Sequence, residues 1–310
     1  MTTPAGSFPA LADSGIDRAA EERSTGGLLE GLRADAASHV LVLHGDAAPL
    51  TSSDAAEGKH PSLHFVSPAE VPTGGEWAFL GRDAAGRAIL SASFPREAEA
   101  PFDAPGGWGG LRLVGGDLPA SQGGLFVEAL SLGRWLLDAP YCPACGTRTE
   151  VRSAGWSRRC PSCGREHFPR TDPAVIVAIT SAQDPDALLL GSNALWGPNR
   201  YSCFAGFAEA GESLESAVVR EVEEESGVVV HDLRYRGSQA WPYPRSLMVG
   251  FLATAIDDAR AEADGEEIVE VRWFTRDEIG AALAGESDLL LPGRASIAHR
   301  LISGWHAGAS

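Results

Sequence analysis

Apolar positions along this chain follow three rhythms, and each predicts a different kind of element. Between residues 28 and 140 the apolar segments are short and broken by Gly, Pro and Asp. Residues 39–43, 63–66, 77–80 and 88–92 read as strands, with a hairpin-like turn at 83–87. Residues 126–137 place Phe126, Leu130 and Leu137 on one side, with Ala129 and Leu132 near it, and predict a helix. The result is a small β-rich domain closed by a helix.

The second rhythm is continuous. Residues 174–180 are an unbroken apolar run, as in a strand buried on both faces, with 187–191 as its partner across the Asp184-Pro185-Asp186 turn. Residues 201–205, 228–230, 246–255 and 268–274 read as further strands, the first delivering the chain to a loop at Gly206. The third rhythm is helical. Over 213–226, Ala217, Val218 and Val222 recur at 3.6-residue spacing, Ser213 is placed to cap and Gly227 to end the helix. Thr275 with Glu278 opens a later helix, and 296–304 makes the last. Strands on either side of these helices give an α/β/α sandwich with a mixed sheet.

Composition narrows the classes. A net charge of -17 leaves no basic excess for non-specific binding to nucleic acid or an anionic membrane. It does not exclude a nucleotide substrate, because bound metal reverses the local sign. No apolar run approaches the roughly 18 residues of a membrane span. Residues 1–27 lack a basic segment followed by an apolar one, and their Gly, Ala, Ser and Thr content predicts a flexible leader. His39, His44, His60 and His64 are scattered and form no constellation.

Four of the five cysteines fall into two knuckles, Cys142-Pro143-Ala144-Cys145-Gly146 and Cys160-Pro161-Ser162-Cys163-Gly164. Four thiolates so spaced hold Zn²⁺ tetrahedrally at about 2.3 Å and leave no open position, so the ion is structural. A redox pair is the competing reading, but two matched knuckles favour a zinc ribbon. The ribbon's arms carry both charge signs, which argues against nucleic-acid binding. Cys203 is left over as a small core residue. Thiols used for metal rather than disulfides point to a reducing, cytoplasmic setting.

The densest chemistry lies on the acidic helix. Glu221, Glu224 and Glu225 stand at i, i+3 and i+4, where each like-charge pair costs about 0.2–0.5 kcal/mol. Such crowding asks for a cation, and hard carboxylate ligands suit Mg²⁺ or Mn²⁺, the usual partners of phosphate substrates. The wider pattern G-x5-E-x7-R-E-U-x-E-E-x-G-U, with U aliphatic, is satisfied by Gly206, Glu212, Arg220, Glu221, Val222, Glu224, Glu225, Gly227 and Val228. In this the chain resembles the Nudix hydrolases, which cleave a diphosphate linked to a nucleoside-type group.

A second motif follows at Ser238-Gln239-Ala240-Trp241-Pro242-Tyr243-Pro244-Arg245-Ser246. It is similar to the S-Q-P-W-P-F-P-x-S segment of the NADH pyrophosphatase branch, with Ala240 and Tyr243 as departures, and the ribbon upstream belongs to that branch too. The resemblance covers about residues 125–305. It implies that Gln239 through Ser246 bind substrate, with Trp241 and Tyr243 as stacking faces worth about 1–3 kcal/mol per base. It further implies a metal-binding glutamate at Glu267, a carbonyl ligand at Ala205, and substrate contacts from Ala298, Phe168 and Arg112. Phe168 stands where relatives carry tyrosine, and Gly155 where they often carry a substrate-contacting glutamate.

The resemblance implies hydrolysis of NAD(H) to NMN(H) and AMP. Glu221, Glu225, Glu267 and the Ala205 carbonyl would hold two or three Mg²⁺ or Mn²⁺ ions, with Glu224 in support. Either Glu225 or Glu267 is the general base, and Arg220 braces Glu212 or Glu224. The rivals are removal of the NAD cap from RNA, another Nudix substrate such as ADP-ribose or a nucleoside triphosphate, and a non-catalytic nucleotide sensor. A homodimer is implied by resemblance. The expected order is a leader (1–27), a β-rich domain (28–140), the zinc ribbon (141–168) and a C-terminal Nudix sandwich (169–310), α+β followed by α/β.

Overall fold

The computed structural model describes residue 11, residues 14–51 and residues 60–308. These fall into two units. One comprises Leu11–Thr171 together with Trp241–Arg245; the other comprises Asp172–Ala240 and the chain from Ser246 onward. Among the described residues no helix is long and apolar enough to cross a membrane.

The first unit is built on a five-stranded sheet. Its strands are β1 (His39–His44), β2 (Ala47–Pro49), β3 (Glu76–Arg82), β4 (Ala88–Phe94) and β5 (Trp108–Gly110), in the order β3-β4-β1-β2-β5. The β1–β4 pair is parallel and the others are antiparallel. Val40, Val42, Phe79 and Leu90 form a core on one face with leucines of α1 (Leu28–Ala34). After the short α2 (Leu111–Val114) comes α3 (Ala120–Asp138), which approaches Leu43 and Ser93 from the other face at Gly133.

Three expectations change here. Residues 63–66 form no strand: Leu63 bridges Leu50 and Val66 bridges Val40, two partners on different segments, so no ladder propagates. The helix starts at Ala120, because burial of Gly123 and Gly124 overrides their poor helix propensity. The leader is not free from Asp17 on. Asp17 bridges Arg82, Glu22 takes a forked ion pair from Arg82, and the Arg23 guanidinium lies 3.7 Å from the Trp156 ring centroid. Residues 1–10, 12 and 13 lie outside the described residues.

The cysteine knuckles belong to a three-stranded antiparallel sheet of β6 (Glu150–Arg152), β7 (Ser157–Arg159) and β8 (Glu166–His167). On β7, Arg158 is buried and donates to the Leu136 carbonyl at 2.6 Å, tying the ribbon to the end of α3.

The second unit is an α/β/α sandwich. Its sheet contains β9 (Asp172–Thr180), β10 (Ala187–Asn193), β11 (Phe204–Phe207), β12 (Val230–Trp241), β13 (Ser246–Ala255) and β14 (Ile268–Thr275). The order is β12-β13-β9-β10-β14, with β11 also paired to β9. Only β9–β13 among the registered pairs is parallel, so the sheet is mixed. Along β9, Val175, Val177 and Ile179 face the core under α4 (Leu214–Ser226), while Ile176 and Ala178 face that of α6 (Ile297–His306). That alternation is the physical reason for the unbroken apolar run. Between β14 and α6, α5 (Arg276–Ala284) starts at a Thr275–Glu278 capping box.

Two boundaries differ from expectation. The strand placed at 201–205 is β11, Phe204–Phe207, so Gly206 lies within a strand and opposite Val175. Tyr201 and Ser202 instead bond Leu290 and Gly191. The strand placed at 228–230 begins only at Val230 and runs on through Trp241 as β12; after the turn at 242–245, β13 starts at Ser246.

Candidate active site

Helix α4 starts where Ser213 accepts from the Ser216 N–H at 3.1 Å, and buries Ala217, Val218 and Val222. One and two turns beyond Val218 the same periodicity carries Glu221 and Glu225 toward β11. A Cβ on Gly206 would lie 2.0 Å from the Glu221 carboxyl carbon, so glycine is the residue that lets this carboxylate cross the strand. Gly206→Ala is therefore expected to displace Glu221 and lower kcat/KM by about 100-fold, with little change in unfolding temperature. Unaltered kinetics would show that the carboxylate's position is immaterial.

Glu225 is buried, 6% exposed, and one of its oxygens, Oε2, has no hydrogen-bond partner. Burial, followed by the charges of Glu267, Glu221 and Asp264, pushes its pKa up to about 8, against a backbone hydrogen bond from Ala205. A buried carboxylate with an unused oxygen, facing three other acids, fits a divalent cation. Burial also raises the Glu221 pKa. Glu267 is exposed and accepts from Asn193 Nδ2 at 3.3 Å. The acids are spread more widely than the thiols: among the described residues only Cys142, Cys145, Cys160 and Cys163 form a group of three or more such ligands with all their ligand atoms within 4.8 Å of one another.

Arg220 holds the acidic rim in shape. Its Nε and Nη2 fork onto Glu212 at 2.9 Å, Nη1 meets Glu221 at 2.9 Å and Glu224 at 3.0 Å, and Nη2 also donates to the Phe207 carbonyl at 2.9 Å. All five guanidinium N–H donors thus find acceptors. The Arg220 hydrogen bonds, with one from the Glu209 N–H, bring the Glu212 pKa down to about 2. Both braces considered from the sequence, Glu212 and Glu224, are used at once.

Two further residues escaped sequence reasoning. Asp264 Oδ1 accepts from the N–H groups of Glu266, Glu267 and Ile268, setting the backbone that presents Glu267. Asn193 fixes the Glu267 side chain while its own Oδ1 accepts from Leu195. The Asp264-Gly265 turn pair was the available signal for the first; nothing marked Asn193.

The remaining candidates separate by chemistry. The Gln239 amide is buried and spent on the Ala295 carbonyl and the Ile297 N–H, so it pins the start of α6, where Ala298 is also buried. Ser246 and Pro242 are buried, Ala240 is half-buried, and Pro244 and Arg245 are exposed. In the first unit, Trp241 and Tyr243 rings lie 5.3 Å apart at 58°, and the Arg112 guanidinium is 4.0 Å from the Tyr243 ring centroid. Phe168 is 51% exposed, a free aromatic face. Gly155 has φ +100° and a Cβ there would lie 2.5 Å from that of Ala78, which rules out a glutamate without moving the backbone. Burial pushes the Cys203 thiol up to about 12, consistent with a core residue and not a nucleophile. The histidines stay apart: His44 bonds the Ala98 carbonyl and His64 packs edge-on against Phe102.

The NUDIX domain family matches residues 170–292, and the NADH pyrophosphatase zinc ribbon domain matches residues 138–168. The NAD-capped RNA hydrolase NudC of Mycobacterium tuberculosis is 38% identical over 317 residues, spanning 97% of this chain and 96% of its own. The NAD-capped RNA hydrolase NUDT12 of Macaca fascicularis is 38% identical over 198 residues, 61% of this chain and 42% of its own. Among solved structures, a NUDIX hydrolase from Nitrosomonas europaea aligns with 45% of this chain and 90% of its own at 27% identity and a TM-score of 0.35.

Proposed function

Since this chain belongs to the Nudix hydrolases, in the branch that carries the NADH pyrophosphatase zinc ribbon, we propose that it hydrolyses the central diphosphate of NAD(H). The products are NMN(H) and AMP. The observation that carries this reading is Glu225, buried with an unpartnered oxygen beside Glu221 on a helix whose rim is braced by Arg220.

Glu221, Glu225, Glu267 and the Ala205 carbonyl would hold Mg²⁺ or Mn²⁺, with Glu224 in support. When bound, the cation neutralises diphosphate charge and acidifies the attacking water. The chain's own part is to orient and to move a proton. Arg220 and Gly206 fix where the Glu221 carboxylate stands, and Asp264 fixes the Glu267 backbone. Either Glu225 or Glu267 takes the proton from water as the phosphorus–oxygen bond breaks on the far side. Trp241 and Tyr243 supply faces for a base, with Arg112, Phe168, Ala298 and the 240–246 segment completing the substrate contacts, and Gln239 holding the start of α6 behind them. The four thiols hold a structural Zn²⁺.

Removal of the NAD cap from RNA is the second reading, favoured by the names of the mycobacterial and macaque relatives. It breaks the same bond with the same residues. The four-part domain division, a reducing cytoplasmic setting and a homodimer belong to the proposal, the dimer on family resemblance alone. The test is a product assay with NADH, NAD⁺, ADP-ribose and an NAD-capped oligonucleotide in Mg²⁺ or Mn²⁺. NMN(H) and AMP, or decapped 5′-phosphate RNA, are expected; no cleavage of any of them would overturn the dinucleotide reading and leave a nucleoside triphosphate substrate or the nucleotide sensor.

A further inference from the structure

The proposed function leaves Arg134 without a part. This arginine lies on α3 in the first unit, which also contains Asp46, Arg112 and the Trp241–Arg245 segment. Its Nη1 donates to the Pro242 carbonyl at 2.6 Å, and its guanidinium carbon lies 5.6 Å from the Tyr243 ring centroid. Asp46 Oδ1 stands 3.4 Å from the same Nη1, and Asp46 Oδ2 is paired with Arg96 at 2.6 Å.

The Pro242 carbonyl belongs to the peptide that joins Pro242 to Tyr243. A charge-assisted hydrogen bond to that oxygen fixes the peptide plane from which the Tyr243 side chain leaves. Two guanidinium groups, Arg112 and Arg134, then bear on the Tyr243 ring, and Trp241 is set against it. The Tyr243 phenol oxygen also accepts a hydrogen bond from the Arg112 backbone, which adds a further restraint on the ring. Stacking a base on such a pair is favoured when the rings have already lost their freedom to swing.

We propose that Arg134, oriented by Asp46, is a positioning residue that presets the Trp241–Tyr243 pair and thereby sets affinity for the base of the dinucleotide. This rests on the reading of Trp241 and Tyr243 as the stacking pair.

The test is steady-state hydrolysis of NADH at saturating Mn²⁺ by the full chain, comparing wild type, Arg134→Ala and Arg134→Lys, with unfolding temperatures beside the kinetics. Arg134→Ala should raise KM by about 10-fold with kcat within about twofold, the loss of roughly one stacked base. Lysine keeps the charge beside Asp46 and one donor for Pro242 but not the planar fork, so Arg134→Lys should fall between. If the alanine variant does not fold, a KM raised about 3-fold or more in the lysine variant carries the same conclusion. KM unchanged in both variants, or in the lysine variant alone where only it folds, overturns the inference, as does a fall in kcat at constant KM. Wild-type chain inactive on NADH, NAD⁺ and capped RNA overturns the functional reading and this inference with it, and is recognised before any variant is made.

Discussion

Glu225→Gln is expected to cut kcat by roughly 10²- to 10⁴-fold while the chain folds as before. Glutamine keeps the shape and the hydrogen bond from the Ala205 backbone but removes the charge that attracts a cation, and with it one of the two carboxylates able to accept the proton. The measurement is turnover of NADH at saturating Mn²⁺, with circular dichroism confirming the fold. Turnover near that of wild type would take Glu225 out of the active site.

The same side chain sets a pH dependence. Its folded pKa of about 8 lies above the ordinary 4.5. Between those values the folded chain holds a proton that the unfolded chain has released, so folding is favoured at low pH and loses ground as pH rises. Without divalent cation, this contribution is fully present below about pH 4.5 and is lost, on the order of a few kcal/mol, by the time pH passes about 8. Glu225→Gln should flatten that slope, and Mn²⁺ should raise the unfolding temperature most at alkaline pH, where no proton competes. An identical slope in the variant would assign the effect to other groups.

The second large effect concerns the ribbon. Cys142→Ser is expected to lose zinc and lower the unfolding temperature by about 10 °C or more. Cys142 and Cys160 are buried and Cys145 and Cys163 exposed, so an ion held by the four would sit at the edge of the core and cross-link two knuckles far apart in sequence. The first unit also runs the ribbon's β7 into α3 through the buried Arg158, so loosening the knuckles frees a guanidinium that the fold has already desolvated. Metal analysis and thermal unfolding decide it. A variant that keeps wild-type stability after losing its zinc would make the ion dispensable to the fold.

Much of the second unit could be read from residue order because its signals are local. Ser213 and Gly227 bracket a helix, and an unbroken apolar run needs both faces covered, so β9 and α4 emerge within a few residues of their expected limits. The first unit was less legible. Leu63 and Val66 look like a strand yet bridge two different segments, and Gly123-Gly124 look like a break yet lie inside a buried helix. In both cases partners far along the chain outweigh local preference.

The candidate site divides in the same way. Residue types and their spacing alone determined the acidic helix, the four thiols and the proline-stiffened aromatic pair, because each is defined by neighbours within a few turns. Three-dimensional packing alone decided that Gly206 yields its space to Glu221, that Glu225 is stripped of solvent, that Gln239 serves the core, and that Asp264, Asn193 and Arg134 set the residues they touch. These depend on which backbone atoms approach across long loops and on how much water is excluded there, and neither quantity is encoded at any single position.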